Sequence, residues 1–528
     1  MKKFNVTGNC IPEEDYMVDI SGKIAQIKKL VDGGYYFTIN KARQYGKTTT
    51  LDMLERTLLN FGQCKGEYIV ASISFQGVSD NNFTSEENFC EFFTRQISKS
   101  LTFTPAKGEY AEKWKNTNAV DFDLLRDHIT NMCENKKVIL MIDEADNAGS
   151  NRVFIKFLNM LRDKYIAKRK GKDHTFQSVI LAGVYDIKNI KLKMINEGSY
   201  APSETENKIY NSPWNIAVDF TIDMSFCPAE IATMLKEYET DHDTGMNIGE
   251  ISEEIYSYTN GYPFLVSKIC RHIDESLNKN WSVEGIQEAV RIILHEKNTL
   301  FDDLFKNLEN DKALHELIYD VLIIGTQRTF ALGNPTIDMG FIYGIIKREQ
   351  QSVIISNKIY EIIICDYFIS KDEESKNKRV SGIVQQDIIK NGRFDMELCL
   401  RKFAEHYTEI FNENDKNFLE RHGRLMFLSY LKPLINGRGF YHIESQFTDL
   451  RRMDIVVDFG RDQFIVELKI WRGEKYEEDA YKQLCGYMET KKADRGYLLT
   501  FNFRKGSEKE RKAEWMDFDG KKIFDVMV

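Results

Sequence analysis

Arg452-Met-Asp-Ile-Val-Val-Asp458, followed by Phe464-Ile-Val-Glu-Leu-Lys469, reads as two strands of a hairpin. Side chains alternate along a strand, so Glu467 and Lys469 share one face while Val466 and Leu468 point into the core. The pairing strand brings Asp454 alongside. Two carboxylates and a main-chain carbonyl, that of Leu468, suit a hard divalent cation such as Mg²⁺, which keeps some of its waters. An ion held there activates water and neutralises charge on a phosphodiester, and Lys469 is placed to orient the water or stabilise a pentavalent transition state. A Glu-x-Lys alone is common on the solvent face of a hairpin. The upstream Asp and the apolar alternation weigh towards a site.

Downstream, Tyr481-Lys-Gln-Leu-Cys-Gly-Tyr487 sets Gln483 and Tyr487 one turn apart on one helical face, as partners for a metal ligand, a water or a phosphate. The ensemble resembles the PD-(D/E)xK nuclease superfamily. That resemblance implies an α/β restriction-endonuclease-like domain over 391–528, with Asp454, Glu467, Lys469 and Gln483 as catalytic residues beside Tyr487, and Asp454 and Glu467 as metal ligands. The family often adds a Glu on the helix before the first strand, and Glu420 is the loose match.

Near the other end, Tyr35-Tyr-Phe-Thr-Ile-Asn40 reads as a buried strand that leads through Lys41-Ala-Arg-Gln-Tyr-Gly-Lys-Thr48 into a helical run from Thr49 to Leu59. Its Gly46-Lys-Thr48 end has the Walker A pattern. Backbone N–H groups and a helix N-terminus hold phosphate there, Lys47 reaches the β and γ phosphates, and Thr48 ligates Mg²⁺. Arg43, Gly46 and Thr49 complete the candidate nucleotide-binding set. Lys41 stands where the pattern has its first Gly. A bare Gly-Lys-Thr is often only a helix start, so the partner segment matters. Lys137-Val-Ile-Leu-Met-Ile-Asp-Glu-Ala-Asp146 is a continuous apolar strand ending in carboxylates, as in a parallel sheet buried on both faces. Asp143 is expected to bind Mg²⁺ through water and Glu144 to polarise the attacking water. Further strands are expected at Tyr68 to Phe75, Ser178 to Val184 and Ile216 to Ile222, alternating with helices as in a doubly wound α/β domain.

This half resembles the AAA-like, archaeal-type ATPases of the P-loop class, in which a Tyr/Phe-Gly-Lys-Ser/Thr loop replaces the full Walker A. The match spans about Asp19 to Leu300. It includes Tyr258-Thr-Asn-Gly-Tyr-Pro-Phe-Leu265, similar to the Gly-x-Pro element of signalling-type NTPases at the start of a lid helix. Arg271, on the following helix, is a candidate γ-phosphate contact or a surface arginine.

The net charge of -9 gives no global attraction for nucleic acid, so any such binding must come from local patches. Two basic clusters qualify: Arg162, Lys164, Lys168, Arg169, Lys170 and Lys172, and Arg504, Lys505, Lys509, Arg511 and Lys512. Nine scattered Cys with no Cys-x-x-Cys argue against a disulfide framework or zinc site and for a reducing compartment. No signal-peptide core opens the sequence and no apolar run is long enough to span a bilayer, so a cytoplasmic protein without membrane contact is expected. Ala313 to Ile369 reads as helix, helix, strand pair, helix, which looks like a winged helix acting as a relay. Lys371-Asp-Glu-Glu-Ser-Lys-Asn-Lys-Arg379 reads as a charged linker.

The expected organisation is a P-loop parallel-sheet ATPase domain at 1–225, a helical lid at 226–300, a winged-helix-like domain at 301–370, a linker at 371–390 and the nuclease-like domain. ATP and Mg²⁺ are the expected cofactors. Nucleic acid, DNA ahead of RNA, is the expected partner, with a homo-oligomer as a further option. The combined resemblance implies a prokaryotic genome-defence or mobile-element factor in which nucleotide state gates cleavage. The alternative is a nucleotide-dependent switch or scaffold whose nuclease-like domain only binds nucleic acid or protein.

Overall fold

The protein is described by a computed structural model covering residues 2–60, 67–104, 108–148, 151–184, 214–331, 333–376, 388–410, 416–435, 438–444, 454–471, 474–502 and 512–528. Two compact units emerge. The first comprises 1–256, 261–281 and 342–344; the second comprises 257–260, 282–341 and 345–528.

In the first unit a parallel sheet has the order β1-β4-β3-β2, with β1 at Phe37–Asn40, β2 at Tyr68–Ser74, β3 at Lys137–Asp143 and β4 at Ser178–Gly183. Every residue of β3 after Lys137 is buried, as a central strand covered on both faces requires. Helices Glu86–Leu101, Phe122–Cys133 and Arg152–Arg169 supply a Phe-rich layer in which the rings of Phe89, Phe93 and Phe157 meet at 4.8–5.9 Å. Each of these helices starts where its sequence says it should. Ser85, Asp121 and Asn151 accept N-cap hydrogen bonds from Asn88, Leu124 and Val153.

The strand expected at Ile216–Ile222 does not form. Val218 makes one parallel bridge to Phe37, its N–H donating to Tyr36 O at 2.9 Å, and Phe220 stacks on Phe37. The segment lies at the sheet edge, where a strand has a neighbour on one side only, and Phe220 is held by that ring contact while Ile216 and Ala217 pack against the core, without a ladder.

The second unit begins with helices Val283–His295, Thr299–Asn310 and Lys312–Tyr319, the last running into a π-helical turn at Asp320–Ile324. Helix Pro335–Ile342, the hairpin β5 (Ile346–Glu349) and β6 (Ser352–Ile355), and helix Lys358–Lys376 follow. That last helix carries into the charged stretch expected as a linker, and 377–387 lie outside the described residues.

After the short hairpin β7 (Ile389–Lys390) and β8 (Arg393–Phe394) come helices Met396–Ile410 and Lys416–Ile435. They precede a six-stranded mixed sheet of β9 (Gly439–Glu444), β10 (Asp454–Phe459), β11 (Asp462–Ile470), β12 (Arg495–Phe501), β13 (Ala513–Phe518) and β14 (Lys521–Met527), in the order β13-β14-β12-β11-β10-β9. β11 and β12 pair in parallel, and the crossover between them includes helix Glu474–Thr490, lying on the sheet through Tyr481, Leu484, Cys485, Tyr487 and Met488. Gly496 permits this close approach, because a Cβ there would meet Met488 Sδ at 2.6 Å.

Candidate functional site

The first site grows from the end of β1. Lys41 N–H extends the β1–β4 ladder to Gly183 O at 3.2 Å, and the chain then turns through Gln44 at φ 56° and Gly46 at φ 75° into helix Lys47–Asn60. Gly46 fits this left-handed position without Cβ strain. Lys47 is buried, its Nζ donating to Lys41 O and Ala42 O at 3.0 Å each. Burial pulls its pKa down, while the carboxylates of Glu144, Asp146 and Asp143 oppose that shift. Thr48 Oγ1 donates to Asp143 Oδ2 at 2.6 Å, which brings together the two groups expected to share a magnesium ion.

Glu144 sits one residue beyond β3 at φ 51°, and burial, with Asp146 and Asp143 adding to it, holds its carboxyl above the usual carboxylate range. Three carboxylates therefore act on the charge of one buried lysine. This donor set fits a nucleotide bound with a divalent cation, since a cation would offset the excess negative charge and phosphate oxygens would replace the loop carbonyls on Lys47.

Contacts that no motif announced surround the loop. Tyr262 Oη donates to Arg43 O at 2.6 Å, and its ring meets Tyr45 edge-on at 4.6 Å, so the Gly261-Tyr262-Pro263 element packs on the phosphate loop. Thr49 Oγ1 donates to Asn9 Oδ1 at 3.0 Å and accepts from Cys10 N–H at 3.3 Å, which ties the N-terminal segment to the first turn of the loop helix. Tyr262 lay within a recognised element; Asn9, 40 positions from Thr49, carried no signal. Arg43 presents an exposed side chain, and Arg271 pairs with Glu275 at 2.8 Å on its own helix.

The second site lies across β10 and β11. Asp454 stands opposite Glu467 in the antiparallel register and opposite Glu444 on its other side. Glu467 is 1% exposed, and neither of its oxygens has a hydrogen-bond partner among the described residues. Lys469 Nζ lies 2.5 Å from Glu467 Oε1 as an ion pair, a close charge contact that lacks hydrogen-bond alignment. On helix Glu474–Thr490, Gln483 Oε1 is buried without a partner among the described residues, and Tyr487 is buried one turn on. Leu468 pairs with Leu499 in the parallel ladder. Glu420 falls on helix Lys416–Ile435, and its side chain, like that of Asp454, lies outside the described residues. A sealed carboxylate whose oxygens make no hydrogen bond among the described residues, paired in register with an aspartate position, fits a divalent cation.

Along the same row of the sheet, Glu467, Leu498 and Asp525 are register partners. Asp525 is fully buried, accepts from Tyr481 Oη and lies 3.0 Å from Lys512 Nζ, which also reaches Glu477 at 3.4 Å. Lys512 is thus paired inside the domain instead of free for a phosphate backbone, and Arg504, Lys505, Lys509 and Arg511 lie outside the described residues. Part of the other basic cluster is structural, while Arg169, Lys170 and Lys172 are exposed. Lys164 is fully buried against Asp173 at 2.8 Å, and Lys168 donates to Phe176 O at 3.0 Å. Helical periodicity had turned these long side chains inward.

Strand, phosphate loop, helix and a neighbouring carboxylate-ended strand define a P-loop ATPase type of domain, and the mixed sheet with its Asp454/Glu467/Lys469 hairpin defines a nuclease type. The chain belongs to the AAA-like family, whose domain matches residues 16–368, and residues 440–512 match the PD-(D/E)XK nuclease superfamily. None of the curated proteins matches the chain. Among solved structures it is similar to a Walker-type ATPase of Pyrococcus abyssi, at 12% identity over 68% of this chain and 99% of that one, with a TM-score of 0.47. It is also similar to the ORC2 protein of Aeropyrum pernix, at 12% identity over 70% and 98% with a TM-score of 0.39, and to Cdc6p of Pyrobaculum aerophilum, at 13% over 71% and 98% with a TM-score of 0.33. Among the described residues no helix is long and apolar enough to cross a membrane.

Proposed function

We propose that this chain binds and hydrolyses ATP with Mg²⁺ at the phosphate loop and cleaves nucleic acid, DNA ahead of RNA, at the C-terminal hairpin, with nucleotide state setting the rate of cleavage. The observation that carries the nuclease reading is Glu467: sealed from water, without a hydrogen-bond partner among the described residues, opposite Asp454 in the strand register and 2.5 Å from Lys469. A buried carboxylate whose one described partner is a single lysine and whose oxygens make no hydrogen bond among the described residues is costly, and a divalent cation would compensate it further. A bound Mg²⁺ supplies Lewis acidity and a nucleophilic water. Asp454 and Glu467 hold the site, Lys469 answers charge developing on the phosphodiester, and Gln483 orients a water or a phosphate oxygen.

At the phosphate loop Lys47 exchanges two loop carbonyls for β and γ phosphate oxygens, Thr48 and Asp143 hold the cation, and Glu144 accepts the proton of the attacking water. The segment 301–370 acts as a winged-helix-like relay between 226–300 and 391–528. A prokaryotic role in genome defence or mobile-element biology, in the cytoplasm, is consistent with a nuclease kept under nucleotide control.

The test is incubation of purified protein with single- and double-stranded DNA and RNA, with and without ATP and with Mg²⁺ or Mn²⁺. Metal-dependent cleavage that disappears in Asp454→Ala supports the proposal. Wild-type protein that binds nucleic acid and cuts none of the four substrates is a nucleotide-dependent scaffold.

A further inference from the structure

Within the first unit, the segment 2–16 is folded onto two helices at once. Its hub is Asp15, 2% exposed, whose Oδ2 accepts from Ile11 N–H at 2.8 Å and from Asn5 Nδ2 at 3.1 Å. Asn5 Nδ2 also reaches Asn9 O at 2.9 Å, and Tyr16 N–H donates to Lys3 O at 2.9 Å. A buried carboxylate answered by donors from its own loop fixes the shape of that loop.

One side of the segment lies along the phosphate-loop helix Lys47–Asn60. Thr49, Asp52 and Arg56 are spaced as one stripe of that helix, and the segment meets each of them. Asn9 Oδ1 accepts from Thr49 Oγ1 at 3.0 Å, Asn9 Nδ2 donates to Asp52 Oδ2, Cys10 N–H donates to Thr49 Oγ1 at 3.3 Å, and Glu13 pairs with Arg56 at 2.8 Å. The Arg56 pair is exposed and contributes little. Asn9 differs: its amide uses both its acceptor and a donor on adjacent turns of the helix, beside Thr48, which itself donates to Asp143 at 2.6 Å.

The other side of the segment lies on helix Pro228–His242. Lys2 pairs with Glu237 at 2.5 Å, and Tyr16 Oη donates to Asp241 Oδ2 at 2.9 Å and lies 3.2 Å from His242 Nε2. The ring of Phe4 meets those of Tyr16 and Tyr238 at 5.1 Å each and that of Trp281 at 5.9 Å. The start of this helix is held separately, by Lys23 on Glu230 at 2.8 Å and by Asp19 N–H on Thr233 Oγ1 at 2.9 Å. The segment 2–16 therefore fastens the C-terminal half of helix Pro228–His242 to the first turns of the phosphate-loop helix, through an unbroken series of contacts.

We propose that Asn9 is a positioning residue for the ATP site: it holds the turn that presents Thr48 to the cation, and through the segment 2–16 it ties that turn to the C-terminal half of helix Pro228–His242. The proposal rests on the ATP reading of the phosphate loop. Thr48 can meet a cation only if the backbone of its turn is held, and the Asn9 amide holds it from outside the loop. A turn ordered by nucleotide in its turn steadies Asn9, the segment and the stretch Glu237–His242; by reciprocity, loosening the segment weakens the hold on Thr48.

The test uses the full chain with ATP and Mg²⁺, and two readouts. Asn9→Leu, similar in shape and without the amide, should lower kcat for ATP hydrolysis about tenfold with KM within about threefold, because Asn9 does not touch substrate. Asn9→Asp, which sets a second carboxylate against Asp52, should do the same, and adding Asp52→Asn, which restores the pair with donor and acceptor exchanged, should recover most of the loss. Tyr16→Phe, at the far end of the segment, should lower kcat about threefold, and its combination with Asn9→Leu should be no worse than Asn9→Leu alone. In hydrogen exchange, a saturating non-hydrolysable ATP analogue with Mg²⁺ should slow the amides of 237–242 at least about threefold in the wild type and leave them unchanged in Asn9→Leu. If Asn9→Leu does not fold, Asn9→Asp with and without Asp52→Asn, and Tyr16→Phe, carry the same comparisons. Unchanged kcat in the Asn9 variants, or no recovery with Asp52→Asn, overturns the positioning role. Equal slowing of 237–242 in wild type and Asn9→Leu, or additive losses with Tyr16→Phe, overturns the tie to helix Pro228–His242. Wild-type protein that binds no ATP in calorimetry overturns the ATP reading itself, a result distinct from loss of the role of Asn9.

Discussion

Lys47 and Lys469, for which the proposed function has comparable work in two unrelated folds, rest differently. Lys47 is buried in a cage of two neutral carbonyls with three carboxylates nearby, whereas Lys469 is paired with Glu467, the carboxylate proposed as a metal ligand. The phosphate loop is therefore a preformed seat whose cation is neutralised only at a distance. The hairpin is self-neutralised, and under the proposed function Lys469 would be released for phosphate or water only when another cation answers Glu467. Preorganisation lies in the backbone at the first site and in a charge pair at the second.

The largest effect expected from this contrast is at the hairpin. Asp454→Ala and Lys469→Ala should each lower cleavage by at least ~10²-fold, measured with end-labelled oligonucleotides. Lys469→Ala should in addition lower stability by about 1–3 kcal/mol in denaturant titration, since it strips the partner from a sealed carboxylate. Unchanged stability would mean that the pair does not compensate Glu467, and the contrast with Lys47 would collapse.

At the loop, Glu144→Gln should slow ATP hydrolysis by about 10²-fold or more while leaving binding intact, because it keeps shape and loses the proton acceptor. Lys47→Ala should weaken ATP binding by roughly 10- to 100-fold in calorimetry, the loss of charge-assisted hydrogen bonds worth about 1.5–3 kcal/mol. An absence of ATP binding in the wild type would leave only a vestigial loop.

The smallest effect tests how far the carboxylate excess extends on the ATPase side. Burial, with Asp52 adding to it, raises Glu55 from its ordinary 4.5 to about 7. The folded state then holds a proton that the unfolded state has lost between about pH 4.5 and 7, so this contribution to stability falls as pH rises through that window. Glu55→Gln should accordingly be more stable than the wild type by about 1–2 kcal/mol at pH 8, with the gap closing by pH 5. An equal gap at both pH values would show that Glu55 titrates normally.

Much of both sites could be read from local pattern. The strand before the loop, the Gly46-Lys-Thr48 turn, the apolar β3 ending in carboxylates and the alternation around Glu467 are short-range signals, because burial on a strand or helix imposes a period of 2 or 3.6 on the chain itself. The strand expected at Ile216–Ile222 failed for the complementary reason. Its apolar residues were real, but whether they build a ladder depends on a neighbour that local sequence does not specify. Lys164 and Lys512 misled in the same way, since a lysine reads as solvated until Asp173 or Asp525 is seen beside it.

By itself, then, the sequence determined the two kinds of domain and their order along the chain, because each is marked by residue types at fixed short spacing. Tertiary structure decided what those residues rest against: Tyr262 on the Arg43 carbonyl, Asn9 on Thr49, and Asp454 opposite Glu467. Such partners are separated by 13 to more than 200 positions, and the free energy that selects them comes from burying whole surfaces together, which no short window of sequence contains.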